Sequence, residues 1–417
     1  MVFNVFPDRP YQICRKTPCF SYGDIRHTLI FVSNCLFFRA KRGEISVWNF
    51  PGKGGDVVQL ALSLRLYPDR DQAGLLKSVL KEYIAVVNDL TEYMNGQDSQ
   101  VRLTSKSFQA SLPSALKAQA IRDARSVFRK ARKTGILPVL RKPVAIWNNQ
   151  NWMLVDDTVR FPVWKDGKSH RIAVRFACPE GVEMDVLMGL VMGDQSAMRI
   201  VQKGNRWFAQ IVVDIPCNVA IDSGESMGVD LGIKCPAVAV TSTGKCRFLG
   251  NGRQRKYVRR RYHERRKRLG KARKLNAIRK SKDKEQRWMR DQDHKLSREI
   301  VNFAVANDIG LIKLETLDGI RKRCTRPTRK SRKNKEDLQK AAWNLCLNSW
   351  SFYRLCSFIE YKAELAGISV EYIDPRYTSQ TCPVCGRRNH AQDRRYRCSC
   401  GFKCHRDLVG AMNILVA

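Results

Sequence analysis

The chain has 417 residues, with 76 Lys and Arg against 39 Asp and Glu, and a formal charge of +37. With 43% hydrophobic residues it can bury real cores, which excludes a disordered basic tail, and its length favours two or more domains. A charge of this size on a foldable chain calls for a polyanion, most often nucleic acid, and no apolar run reaches the roughly 18 residues that span a bilayer.

Residues 1–56 mix apolar and aromatic residues without a clear period and end in Pro51, Gly52, Gly54 and Gly55, the composition of a turn or linker. The N-terminus lacks the charged-then-apolar layout of a secretory signal, so a cytoplasmic protein with no membrane partner is expected. In 58–67, Leu60, Leu62, Leu64 and Leu66 alternate with smaller or polar residues, which predicts a half-buried strand. In 71–94 the apolar residues recur at three and four, which predicts an amphipathic helix, and 112–132 reads as a second helix with a basic side. Strand-like segments follow at 144–147, 152–155, 171–176, 197–202 and 207–213, which predicts a β-barrel or sandwich interrupted by the two helices. Beyond 221–224 the pattern becomes strand, turn and strand over 227–240, a long basic helical region over 253–298, a buried strand at 309–314, a helix at 351–366 and a strand at 368–373. Strands alternating with helices predict an α/β sheet. The segment 318–340 is too rich in Lys, Arg, Ser and Thr to fold alone.

The chain has fifteen cysteines, and a tight cluster occurs only near the C-terminus, which fits reduced thiols plus a metal site better than disulfides. Cys382 and Cys385 are followed by Gly386, and Cys398 and Cys400 by Gly401; each pair is a knuckle whose glycine admits a tight turn. Four thiolates at these spacings can close a structural tetrahedral Zn2+ site with Zn–S of about 2.3 Å. The second knuckle is short by one residue, which leaves Cys404 and His405 as alternatives to Cys398.

Three acidic residues stand at the ends of apolar segments: Asp230 in Gly228-Val229-Asp230-Leu231-Gly232, Glu315 after Ile312-Lys313-Leu314, and Asp407 in His405-Arg406-Asp407-Leu408. Singly, Asp230 could cap a turn, Glu315 could end a strand in solvent and Asp407 could cap a helix. Together, in a strongly basic chain, they suit a site for two Mg2+ ions about 4 Å apart, the arrangement that cleaves phosphodiesters in line, with Mn2+ an acceptable substitute. The arginine runs 259–261 and 265–268, mixed with Tyr257 and Tyr262, suit phosphate contact better than a merely solvated face.

The ordered set GVDLGIK, IKLETL, YTSQTCPVCG with RCSCG, and HRDLVGAMNI resembles the TnpB-type transposon-encoded RNA-guided nucleases and the compact type V CRISPR effectors. The resemblance covers 57–417. It implies a multidomain α+β chain: a wedge β-barrel in two parts (57–70 and 136–222), an inserted helical recognition domain (71–135), and an RNase H-like, RuvC-like α/β nuclease domain (223–375) with basic helices and a lid at 318–340. A zinc-ribbon target-nucleic-acid-binding domain (376–404) and the last RuvC-like motif (405–417) follow. The arm 1–56 falls outside the pattern, and the short second knuckle departs from its commoner form. The implied catalytic and Mg2+-binding set is Asp230, Glu315 and Asp407, and the implied partners are a guide RNA and target double-stranded DNA, with one or two chains per RNA left open. The implied function is RNA-guided DNA cleavage with a flanking motif read in the duplex. Guided binding or repression without cleavage is the alternative, and an RNA-independent transposase a weaker third.

Overall fold

A computed structural model describes residues 57–97, 102–177, 197–317, 343–344, 346–391 and 393–417; the arm 1–56 and the expected lid 318–340 lie outside them. The central strand β1 (Val57–Tyr67) pairs antiparallel with β7 (Arg206–Pro216) and β5 (Lys168–Ala177) in a seven-stranded sheet. Its full order is β2 (Val144–Trp147), β6 (Met198–Lys203), β7, β1, β5, β4 (Thr158–Lys165), β3 (Met153–Val155). Leu60, Leu62, Leu64 and Leu66 are buried as the alternation requires, but Ala61 and Ser63 between them are buried too. The expected half-buried strand is thus covered on both sides, and a helix from the second half of the chain also lies near it.

Where a barrel or sandwich is expected, the strands form one curled sheet, and among the described residues its end strands β2 and β3 share no ladder. It curls until side chains from distant strands meet. The Trp147 ring on β2 lies edge-on to Phe161 on β4, centroids 5.0 Å apart, and its Nε1 donates to the Pro162 carbonyl at 2.9 Å. Strand β4 escapes the sequence pattern because Pro162 cannot donate to a ladder. It is tolerated because β3 pairs only with Thr158–Arg160, which leaves that edge of β4 unpaired at Pro162. The helices α1 (Arg70–Asn95) and α2 (Ser114–Thr134) come between β1 and β2 in the chain. α1 starts on a capping box, where Asp69 accepts from Gln72 N at 2.8 Å. Leu76, Val79, Leu80 and Tyr83 of α1 and Leu116, Ala120 and Ile121 of α2 join the β1 leucines in one apolar core.

The second sheet has the order β10 (Cys246–Leu249), β9 (Ala237–Thr241), β8 (Ser226–Leu231), β11 (Leu311–Glu315), β12 (Ser369–Ile373). β8, β9 and β10 are antiparallel neighbours, whereas β11 runs parallel to both β8 and β12. Alternation along β9 sends Ala237 and Ala239 into a core with α4 (Leu275–Val305) and α5 (Phe352–Leu365), and Val238 and Val240 onto α6 (Arg406–Val416). The sheet is therefore sandwiched between helices, as an α/β pattern requires.

The basic region 253–298 is two helices, α3 (Gly252–Lys271) and α4, separated at 272–274, where Arg273 takes a left-handed φ of 53°. α3 buries only Gly252 of itself. It is tied down instead by ions: fully buried Asp293 of α4 meets Arg255 of α3, and accepts from Arg354 Nε of α5 at 2.9 Å and from Ser351 Oγ at 2.8 Å. α5 links the two cores. Its Phe358, Tyr361 and Leu365 pack into the first, and its Leu355, Cys356, Ile359 and Ala363 into the second. Between β12 and α6 lies a small unit with one hairpin, β13 (Arg395–Arg397) and β14 (Lys403–His405). Among the described residues no helix is long and apolar enough to cross a membrane.

Candidate active site

Asp230 is the penultimate residue of β8, and Glu315 ends β11. Their positions follow from register. Leu314 lies beside Val229 in the parallel pair, so the next step along each strand brings Glu315 level with Asp230. Asp407 arrives on α6, which lies close against β8 because glycines face it at both levels. A Cβ on Gly228 would stand 2.3 Å from Ala411 O, and one on Gly410 would stand 3.1 Å from Asp230 Oδ2. Asp407 lies one turn before Gly410 on that helix, at the same end of the sheet. His405 caps the helix, its Nδ1 accepting from Asp407 N at 3.3 Å, so Asp407 itself sits in the first turn with its side chain free for other work.

The electrostatics report the crowding. Burial, then the neighbouring Glu315 and Asp407 charges, push Asp230 up to about 8, against the opposing fields of Arg394 and Arg406. Burial also raises Glu315, opposed by a hydrogen bond from the Thr378 hydroxyl. Asp407 is buried and paired with Arg394, whose Nη1 contacts both carboxylate oxygens. Oxygen donors of this kind suit Mg2+. Cys235 stands beside the site; burial and the fields of Asp407 and Asp230 keep its thiol protonated, at about 11.

The sulfurs of Cys382, Cys385, Cys398 and Cys400 form a cluster within 4.8 Å of one another. Cys382 and Cys400 are 3.7 Å apart and Cys385 and Cys398 3.4 Å, close to the roughly 3.8 Å edge of a tetrahedron with Zn–S of about 2.3 Å. Both knuckle glycines carry the left-handed backbone the turns need, with φ of 70° at Gly386 and 91° at Gly401. Asn389 Nδ2 donates to Cys398 Sγ at 3.1 Å, which steadies one sulfur. Cys404 lies outside the cluster, and His405 is engaged as the cap of α6 with its ring edge-on to Phe248, centroids 5.1 Å apart. The four-cysteine unit is stitched to the carboxylates from both of its flanks: Thr378 on Glu315, Arg394 on Asp407, and Asn413 Nδ2 of α6 donating to the carbonyls of Thr378 at 2.6 Å and Thr381 at 2.8 Å. Thr378 and Arg394 are missed by sequence reasoning. Thr378 lies inside a quoted motif without any mark of its role, and Arg394 is one arginine among many.

Two cores sharing α5, a curled sheet and a cysteine cluster beside a carboxylate site make a multidomain α+β fold, and it has solved counterparts. The protein of a Cas12f1–sgRNA–target DNA complex superposes with a TM-score of 0.63 over 86% of this chain and 99% of that one; at 13% identity this is likeness of fold. Residues 352–414 match the family described as Cas12f1-like, TNB domain. A CRISPR-associated endodeoxyribonuclease Cas12f1 of Sulfoacidibacillus thermotolerans is 28% identical over 242 residues, 53% of each chain. A TnpB-like protein of Methanocaldococcus jannaschii is 31% identical over 133 residues, 31% of this chain and 43% of that one. These similarities relate the chain to TnpB-type proteins and compact type V effectors. The chain spans about half the length of the curated relatives it matches.

Proposed function

We propose that the chain is an RNA-guided DNA endonuclease with a guide RNA and target double-stranded DNA as partners. The observation that carries this reading is the meeting of Asp230, Glu315 and Asp407 at one end of the second sheet, in a chain of charge +37. A basic surface retains the phosphate backbone, and an acidic pocket within it is the donor set for divalent cations. Two Mg2+ ions there would activate a water and stabilise the leaving oxygen of a phosphodiester. Asp230, Glu315 and Asp407 would hold them, with Thr378 orienting Glu315. The second sheet with its helices is then an RNase H-like, RuvC-like domain. The curled sheet is the wedge, α1 and α2 form the recognition insert, and these two regions read a flanking motif in the duplex. The four cysteines hold a structural Zn2+, since four protein thiolates leave no open position. The exposed arginines of α3 supply backbone contacts recognised by A-form shape.

Two experiments test the reading. RNA that copurifies with the protein is sequenced for a common scaffold joined to variable guides. Guided cleavage of duplex DNA is then measured in Mg2+: Asp230→Ala and Glu315→Ala should each lose about a thousandfold in rate, the several kcal/mol a bound metal contributes, while guided binding persists. Absence of any copurifying RNA, or wild-type cutting by Asp230→Ala, would overturn it.

A further inference from the structure

The contact between Arg394 and Asp407 joins the cysteine unit to the carboxylate site. Arg394 immediately precedes β13, and Asp407 immediately follows β14 and Arg406. The Arg394 carbonyl accepts from Arg406 N at 2.8 Å, so the two backbones are held side by side at the base of the hairpin. From there one guanidinium nitrogen covers both oxygens of Asp407, whose side chain is 9% exposed, while that of Arg394 is 31% exposed and reaches solvent. A guanidinium in this place and a divalent cation compete for the same lone pairs. The same hairpin unit displays Arg387, Arg388, Arg395, Arg397 and Lys403 outward. A phosphate brought to that surface is an alternative anion for Arg394.

We propose that Arg394 is a positioning residue that acts as an electrostatic latch. It occupies Asp407 while the protein is free of nucleic acid, and transfers to a phosphate when a nucleic-acid strand lies on the cysteine unit, releasing Asp407 for metal. The inference rests on the proposed function in taking Asp407 as a metal ligand and nucleic acid as the polyanion. It goes beyond that function in making metal binding and nucleic-acid binding cooperative, each tightening the other by the same factor. No bond is made or broken; one ion pair is exchanged for another.

The test is Mn2+ affinity of the zinc-loaded full chain, measured by calorimetry or by the spectrum of free Mn2+, without RNA. Removing any nearby positive charge favours a cation, so Arg406→Gln, whose Nε lies 4.0 Å from Asp407 Oδ1, is the control for charge alone. Arg394→Gln should bind Mn2+ about tenfold more tightly than wild type, clearly exceeding Arg406→Gln, with Arg394→Lys between. Adding a single-stranded DNA oligonucleotide should tighten Mn2+ binding by wild type and change it little in Arg394→Gln. Equal gains from Arg394→Gln and Arg406→Gln, an unchanged affinity in Arg394→Gln with its zinc content intact, or equal tightening by DNA in wild type and Arg394→Gln would each overturn the latch. These affinities need no guide and no cleavage. If they behave as stated while guided cutting is never seen, the proposed function falls and the latch stands.

Discussion

The close approach of α6 to β8 depends on a missing methyl group, and replacing it is a direct probe of how the carboxylates meet. In Gly228→Ala the new Cβ would stand 2.3 Å from Ala411 O, 2.6 Å from Leu415 N and 2.9 Å from Leu415 Cα. All three are backbone atoms of a hydrogen-bonded helix, so no side chain can turn aside. Contact distances of roughly 3.5 Å require α6 to retreat by about 1 Å as a unit, and Asp407 retreats with it. Overpacking of this kind costs about 1–3 kcal/mol of stability, and a misplacement of about 1 Å in a catalytic constellation costs about a hundredfold in rate. Gly410→Ala is the comparison. Its Cβ would meet Asp230 Oδ2 at 3.1 Å and Cγ at 3.3 Å, a side chain that can give. About tenfold is expected there, since the displacement is a few tenths of an ångström. The assay is single-turnover guided cleavage in Mg2+, beside guide RNA binding, bound zinc and a melting curve. If Gly228→Ala melts as wild type and cuts as fast as Gly410→Ala or faster, α6 is not held by this contact, and the account of how Asp407 reaches Asp230 is wrong.

Cys385→Ser or Cys398→Ser should lose the bound zinc and unfold the hairpin unit, whereas Cys404→Ser should retain it; elemental analysis of the purified chains decides between the two sets of cysteines. Asp293→Ala leaves Arg255 and Arg354 facing each other at a buried position and should destabilise the protein by about 3–5 kcal/mol in a denaturant melt, whereas an unchanged midpoint would mean the ion network contributes little. Asp230 is raised from 3.8 to about 8, so between those values the folded protein holds a proton that the unfolded chain has released. In Mg2+-free buffer its contribution to stability therefore falls as pH rises through that window. Asp230→Asn should remove that slope in melting temperature, and identical slopes in the two proteins would contradict the assignment.

Much of this architecture is legible before any coordinates. The leucine alternation of β1 and the three-and-four spacing of α1 predict their elements because each buries one continuous apolar face. The acidic positions are legible because each closes an apolar strand or opens an apolar helix, and charge at such a boundary is costly without a purpose. What escapes is set by tertiary structure. Ala61 and Ser63 on the other face of β1 are buried as well, which the alternation of the strand does not announce. Pro162 makes β4 look unlike a strand, and only the shortness of β3 leaves an unpaired edge for it. Arg273 breaks the basic helical region in a left-handed conformation that no glycine announces. The choice among Cys398, Cys404 and His405 turns on which atoms face inward, and spacing alone is blind to that.

α5 presents two opposite apolar sides, each sealed into a different core. A strut shared in this way allows neither half of the molecule to come apart without stripping the other, so heating should yield a single calorimetric peak instead of one for each sheet. Trimming Phe358 to alanine, on the side facing the curled sheet, should split that peak, leaving the carboxylate-bearing sheet as the survivor at intermediate temperatures.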